Sequence, residues 1–328
     1  MAKKRGTTKP KLGLALGAGG AKGLAHIGIL KVLHKHKIYP DYLAGTSMGS
    51  IIGALYASGY SPKELKETAR TTNWKKIVDF TIPKAGFIQG DLIESKLKRL
   101  VQNKDFSELD IPLRVVSYNL DTHEKVVISK GSVSRSLRAS ISIPGIFTPI
   151  KIDKNHFIDG AVVDPTPFDV VKEMGAEIVI AVDLFNKAKT VSGPVVKSKS
   201  LLSEFREMFI VQELLNIKNY IFPDRWPGFI KKTLRWAFDK FLYPAKVLKI
   251  LAGKELPPLA QVMYETINVL TNNLARERMK NADIDFKISP IFKNLTWSDF
   301  DKTEEMIKVG ERAMNQRIPE LKKKLGIK

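Results

Sequence analysis

The chain has 328 residues, 44% of them hydrophobic, enough to bury a large core as either two units or one large α/β domain with an insertion. It has no cysteine, which excludes disulfides and thiolate metal sites and suits a reducing cytoplasm. A formal net charge of +20 calls for an acidic partner; with no nucleic-acid module, and with lysines spread along the chain, anionic lipid headgroups fit better than nucleic acid.

Residues 1–11 read as a basic, disordered tail. With the apolar run that follows, the tail imitates a secretory leader, but Lys22 and His26 cut the run short. A strand is predicted over 12–16, a glycine-rich turn over 17–23, and a helix over 24–36 with Leu24, Ile27, Leu30 and Leu33 at helical spacing. Strand, turn and helix recur at Tyr42-Leu-Ala-Gly-Thr-Ser-Met-Gly49, followed by an apolar helix over 50–56. The stretch 42–62 is uncharged and long enough to span a bilayer, yet its four glycines and its hydroxyl residues make it a poor spanning helix.

Ser61-Pro62 with Glu64 beyond starts another helix. A further helix over 90–101 is expected to place Leu92, Ile93, Leu97, Leu100 and Val101 on one side. Strands over 113–118 and 125–129 flank a turn at 121–124, a short helix covers 133–139, and Phe157-Ile158 runs into Asp159-Gly160-Ala161. A helix over 169–174 and a wholly apolar strand over 178–182 complete an open α/β pattern. The core is thus expected over 12–184. Residues 185–258 read as a Lys/Ser/Gly/Pro linker and a helical insert, and 259–328 as a helix, strand and helix returning to the core.

Gly45-Thr46-Ser47-Met48-Gly49 is a G-x-S-x-G elbow, in which small neighbours let a strained serine stand clear at the end of a strand. Gly17-Ala18-Gly19-Gly20-Ala21-Lys22-Gly23 is neither a dinucleotide fingerprint, because Lys22 stands where the third glycine belongs, nor a P-loop. It remains a turn whose N–H groups at a helix start suit an oxyanion or a phosphate. The proton acceptor for Ser47 is either a histidine, with His156 and an orienting Asp121 or Asp153 as the candidate pair, or a carboxylate, for which Asp159 is the best candidate. Taken alone, Asp159 also reads as a turn former ahead of Gly160.

Four stretches together resemble the patatin-like phospholipases, in particular the bacterial branch related to the catalytic domain of neuropathy target esterase. They are Gly19-Gly20-Ala21-Lys22-Gly23, Gly45-Thr46-Ser47-Met48-Gly49, Ala139-Ser140-Ile141-Ser142-Ile143-Pro144-Gly145-Ile146-Phe147 and Asp159-Gly160-Ala161, and the resemblance covers residues 11–184. It implies a three-layer α/β/α fold, a Ser47–Asp159 dyad, and an oxyanion hole from the N–H groups of Gly19 and Gly20. The implied activity is cleavage of phospholipid or other lipid esters through an acyl-enzyme, without cofactor or metal. Ala18 stands where the family usually has its first glycine, which requires a negative φ there. Lys22 has two readings, neutralising a headgroup or capping a carbonyl. A catalytically silent lipid-binding scaffold and an acyltransferase using the same acyl-enzyme are the rival functions.

Within the insert, Ile230, Leu234, Ala237, Phe238 and Phe241 form one helical stripe opposite Lys231, Lys232 and Arg235, with Trp226, Trp236 and Tyr243 nearby. Such a segment fits either a cap on the core or a lid that contacts membrane. With the net charge, it leads to the expectation of a cytoplasmic protein held peripherally at the inner membrane face.

Overall fold

The computed structural model describes residues 10–72, 79, 86, 88–185 and 258–327, so the basic tail and nearly all of the insert lie outside the described residues. The chain divides into two compact units, residues 1–190 with 266–328, and residues 191–265. The first unit contains every strand of the sheet.

β1 (Leu12–Leu16) leads through a 3-10 turn (Gly20–Leu24) into α1 (Ala25–Lys35), and β2 (Tyr42–Thr46) breaks directly into α2 (Met48–Ala57). α3 (Pro62–Thr71) starts at a capping box in which Ser61 and Glu64 satisfy each other's backbone N–H. α4 (Asp91–Leu100) buries Ile93 and Leu97 but turns Leu92 outward at 48% exposure. Leu92 therefore does not share the stripe expected of it: at about 100° per residue, Ile93, Leu97, Leu100 and Val101 fall on one arc of the helix and Leu92 lies outside it. Then come β3 (Leu113–Asn119), β4 (Glu124–Ile128), α5 (Val133–Ser140), β5 (Ile150–Ile152), β6 (Asn155–Asp159), α6 (Phe168–Glu173) and β7 (Ile178–Val182). α7 (Pro258–Lys280), β8 (Phe286–Ile288), α8 (Thr303–Asn315) and α9 (Ile318–Leu325) close the described chain.

The sheet runs β5-β6-β3-β2-β1-β7-β8, with β4 also paired to β3. Strands β3, β2, β1, β7 and β8 are mutually parallel, and β4, β5 and β6 are added antiparallel. Alternate residues of the central strands feed two cores. Leu12, Leu14, Leu16, Leu43, Val115 and Ile180 pack with α1, α2, α8 and α9 on one face; Ala15, Ala44, Val116, Val179 and Ala181 pack with α6 and Met279 of α7 on the other. This is a three-layer α/β/α arrangement. Small residues on the second face admit α6 closely, and glycine does the same between α1 and α8. There a Cβ on Gly28 would lie 2.0 Å from the Ile307 carbonyl oxygen, and one on Gly310 1.9 Å from that of Ala25.

One detail of register positions the site. β2 pairs with β3 as far as Thr46 opposite Val116, while β6 arrives from the other direction and ends with Asp159 opposite Ser117. β4 pairs with Val115 to Asn119 and so occupies the opposite edge of β3. The C-terminal ends of β2 and β6 therefore meet head-on along one edge, at consecutive residues of β3.

Candidate active site

The elbow is built by close packing. A Cβ on Gly45 would lie 2.5 Å from the Ser50 Cα, and one on Gly49 2.1 Å from the Leu16 carbonyl oxygen, so both positions exclude any side chain. Ser47 between them has φ 54° and ψ −124°, a strained conformation for a non-glycine residue. Its N–H donates to the Ser140 hydroxyl (2.9 Å), which in turn donates to the Val116 carbonyl (2.7 Å). Ser47 is 5% exposed, and its hydroxyl donates to Asp159 Oδ2 at 2.7 Å.

Asp159 is equally enclosed. Its N–H donates to the Ser142 carbonyl (3.0 Å), and its Oδ1 accepts the Ala161 N–H (2.8 Å), which starts the short 3-10 turn Gly160–Val162. A Cβ on Gly160 would lie 2.4 Å from the Val116 carbonyl oxygen, so only glycine lets this turn sit on β3. Burial pushes the Asp159 carboxyl up to about 7, against the opposing pull of the Ser47 hydroxyl and the Ala161 N–H.

The glycine loop is pinned on both sides of its centre. Gly17 N–H donates to Val182 O, Ala18 N–H to Pro165 O, and Ala21 N–H to Trp297 O. Among the described residues the N–H groups of Gly19 and Gly20 meet no acceptor, so both are available to a negatively charged oxygen. Gly20 has φ +56°, and a Cβ there would lie 2.6 Å from the Trp297 carbonyl oxygen. Ala18 keeps a negative φ, which is why its methyl group is accommodated. Lys22 lies with its ammonium 5.5 Å from the centre of the Phe292 ring. Loop and elbow touch at Gly23, where a Cβ would lie 2.3 Å from the Met48 Cγ.

Three supporting residues had no role assigned from sequence, although one of them, Ser140, lies in a stretch that carries the family resemblance. His26 is fully buried with Nε2 2.8 Å from the Gly17 carbonyl oxygen, and burial depresses it to about 4, so the neutral ring donates and fixes the loop. Arg138, 2% exposed, donates to the carbonyls of Gly90 (3.2 Å), Gln89 (2.6 Å) and Thr148 (2.9 Å) and to the Ser142 hydroxyl. It thereby ties α5 to two loops and holds the residue whose carbonyl receives Asp159. Ser140 is the third. Two residues past Val162, Asp164 is buried within ion-pair distance of Lys125 (3.1 Å) and Arg278 (3.1 Å), anchoring the Asp159 turn to β4 and α7.

The histidine candidates lie elsewhere. His156 does pair with Asp121 (3.2 Å), but both are exposed, and His156 precedes Asp159 by three strand residues, which turns its side chain to the opposite face of the sheet. Asp153 and His123 occupy turns with positive φ. Among the described residues no group of three or more His, Asp or Glu could hold a metal ion, and no helix is long and apolar enough to cross a membrane.

Residues 14–172 match the family described as patatin-like phospholipase. Over those residues, 159 of the chain's 328, the chain is similar to the patatin-like phospholipases. An NTE family protein of Mycobacterium tuberculosis is 32% identical over 183 residues, 55% of this chain and 51% of that protein. Human patatin-like phospholipase domain-containing protein 6 is 33% identical over 187 residues, 55% of this chain and 14% of its own length. The lysophospholipase NTE1 of Debaryomyces hansenii is 30% identical over 179 residues, covering 53% of this chain and 12% of that one. The chain thus spans about half the length of the mycobacterial relative and far less of the other two. The crystal structure of VipD from Legionella pneumophila superposes with a TM-score of 0.56 at 13% identity, covering 95% of this chain and 67% of that one, a likeness of fold. The elbow, the glycine loop and Asp159 all fall inside the patatin-like segment.

Proposed function

We propose that the protein is a serine acyl hydrolase that cleaves lipid esters, with Ser47 as nucleophile and Asp159 as general base. The observation that carries this reading is the 2.7 Å hydrogen bond from the Ser47 hydroxyl to a buried carboxylate at the end of a strained elbow. Asp159 takes the Ser47 proton as Oγ bonds to the ester carbonyl carbon, and the N–H groups of Gly19 and Gly20 hold the resulting oxyanion. Collapse breaks the ester C–O bond; the departing alcohol takes the proton from Asp159 and leaves an acyl-Ser47 ester. Asp159 then accepts a proton from water as the water oxygen attacks, and that proton returns to Ser47 as the acid is released.

The match of residues 14–172 to the patatin-like phospholipases and the likeness to a lysophospholipase support a lipid ester as substrate. The net charge of +20 supports work at an anionic membrane surface. A fluorophosphonate probe followed by peptide mapping tests the assignment. Label is expected on Ser47 alone and absent from Ser47→Ala protein; label retained by that variant would remove Ser47 as nucleophile.

A further inference from the structure

Three hydrogen bonds converge on the stretch that follows Asp159. Asp164 N–H donates to the Gly160 carbonyl (2.8 Å), which closes the turn on itself. The carbonyl of Asp164 accepts the Thr46 hydroxyl (2.8 Å), and the next carbonyl, that of Pro165, accepts the Ala18 N–H (2.9 Å). Thr46 directly precedes Ser47, and Ala18 directly precedes Gly19. Residues 159–165 therefore carry the proposed base and also hold the chain one residue before the proposed nucleophile and one residue before the proposed oxyanion donors.

The turn is itself fixed by charge. Asp164 is 0% exposed, and its carboxylate lies 3.1 Å from Lys125 of β4 and 3.1 Å from Arg278 of α7. Both cations also reach Asp169 in the first turn of α6, at 2.9 and 3.0 Å, so two carboxylates and two cations alternate in one closed cluster. The Arg278 guanidinium lies over the Phe168 ring as well, 5.4 Å from its centre.

We propose that Asp164 is a positioning residue: Lys125 and Arg278 grip its side chain, and its turn passes that grip to Asp159, Ser47 and the glycine loop together. The inference rests on the serine acyl hydrolase reading and says what keeps the three parts of that site in register. A buried ion pair adds little net stability over apolar packing of the same volume, because desolvation offsets the attraction. What charge adds here is direction, since two cations from different elements define where one carboxylate can sit. Apolar side chains would fill the same space without fixing the turn to that point. Nucleophile, base and oxyanion donors lie on three separate stretches of chain, and a misplacement of about 1 Å among such groups costs about 10²-fold in rate. The Asp164 turn is bonded to all three stretches.

Thr46→Val removes the hydroxyl with almost no change of shape, and Arg278→Met removes one cation of the cluster. With p-nitrophenyl butyrate, each is expected to lower kcat about tenfold or more while KM stays within about twofold of wild type, and to slow fluorophosphonate labelling in parallel. Thr46→Ser and Arg278→Lys keep the hydroxyl and the charge, and each should hold kcat within about threefold of wild type. The double variant Thr46→Val/Arg278→Met should be within about threefold of its slower parent, because both changes release the same turn, whereas two unrelated packing defects would multiply. All rates are taken on protein with a single cooperative melt; if Arg278→Met does not fold, Arg278→Gln, which loses the charge but keeps an N–H donor, replaces it. Wild-type kcat in folded Thr46→Val or Arg278→Met protein, failure of the conservative variants to keep activity, or losses that multiply in the double variant would each overturn the proposal. Hydrolysis surviving in Ser47→Ala protein would remove the serine hydrolase reading and this inference with it, a result read from a different variant.

Discussion

A carboxylate is a poor base for a serine hydroxyl unless its surroundings raise its proton affinity, and at Asp159 they do so by excluding water. Burial lifts the group from 3.8 to about 7, and the hydrogen bonds from Ser47 and Ala161 limit the rise. In the proposed mechanism the ionised form is the base, so kcat/KM is expected to rise with pH through one ionisation near 7. A profile flat from pH 5 to 9 would contradict a carboxylate base. The same shift has a stability consequence of opposite sense. A folded-state value above the unfolded one means that the native protein binds the proton more tightly, so the contribution is present at low pH and lost as pH rises towards about 7. Asp159→Asn keeps the site neutral, and its melting temperature relative to wild type should climb between about pH 4 and 7. The expected limit is on the order of 4 kcal/mol, less what the altered Ser47 contact costs. Activity should fall about 10²- to 10⁴-fold in the same variant. Thermal melts and initial rates across that pH range check both halves.

At the scale of elements, the proposed nucleophile and base come from strands that approach each other along β3, and α5 braces the junction. Ser140 at the end of α5 accepts from Ser47 N–H and donates to Val116 O, so it links elbow, α5 and β3. Ser140→Ala leaves two buried backbone groups without partners, at about 1–3 kcal/mol each. A lower melting temperature is therefore expected. Fluorophosphonate labelling of fully folded variant should also slow, while the pH midpoint near 7 stays in place because Asp159 keeps its own bonds. Labelling at the wild-type rate would reduce Ser140 to a structural role. The same elements explain what could be read from sequence. β1, β2 and β7 are continuous apolar runs, and Ser47 announces itself by the glycines around it. Asp159 on its own looks like a turn residue, because its partner lies 112 positions earlier and only the register of β2 and β6 brings the two together. β6 begins with the part-exposed Asn155 and exposed His156, and β5 has three residues, so neither carries a strand-length apolar pattern. His26 and Arg138 are polar residues on helices, which sequence assigns to the surface. Their acceptors are mostly backbone carbonyls, and these leave no residue-type signature.

For the whole molecule, the excess of 54 basic over 34 acidic residues is a long-range property that no single contact expresses. Several described acidic residues are already paired: Asp164 and Asp169 with Lys125 and Arg278, Asp41 with Lys11, Glu311 with Lys31, and Glu304 with Lys66. The uncompensated positive charge is thus available to an anionic surface, where attraction acts over about 8 Å at physiological ionic strength and shortens as salt is added. Ser47 and Asp159 are buried, so the chemistry proposed for them is screened far less. Hydrolysis of lipid in anionic vesicles should therefore be faster than in zwitterionic ones and should decline as salt is raised. Hydrolysis of a soluble short-chain ester by the same preparation should change little. Parallel decline of both activities would place the salt effect in the catalytic site, and vesicle hydrolysis indifferent to lipid charge and to salt would mean that the basic surface serves some other partner.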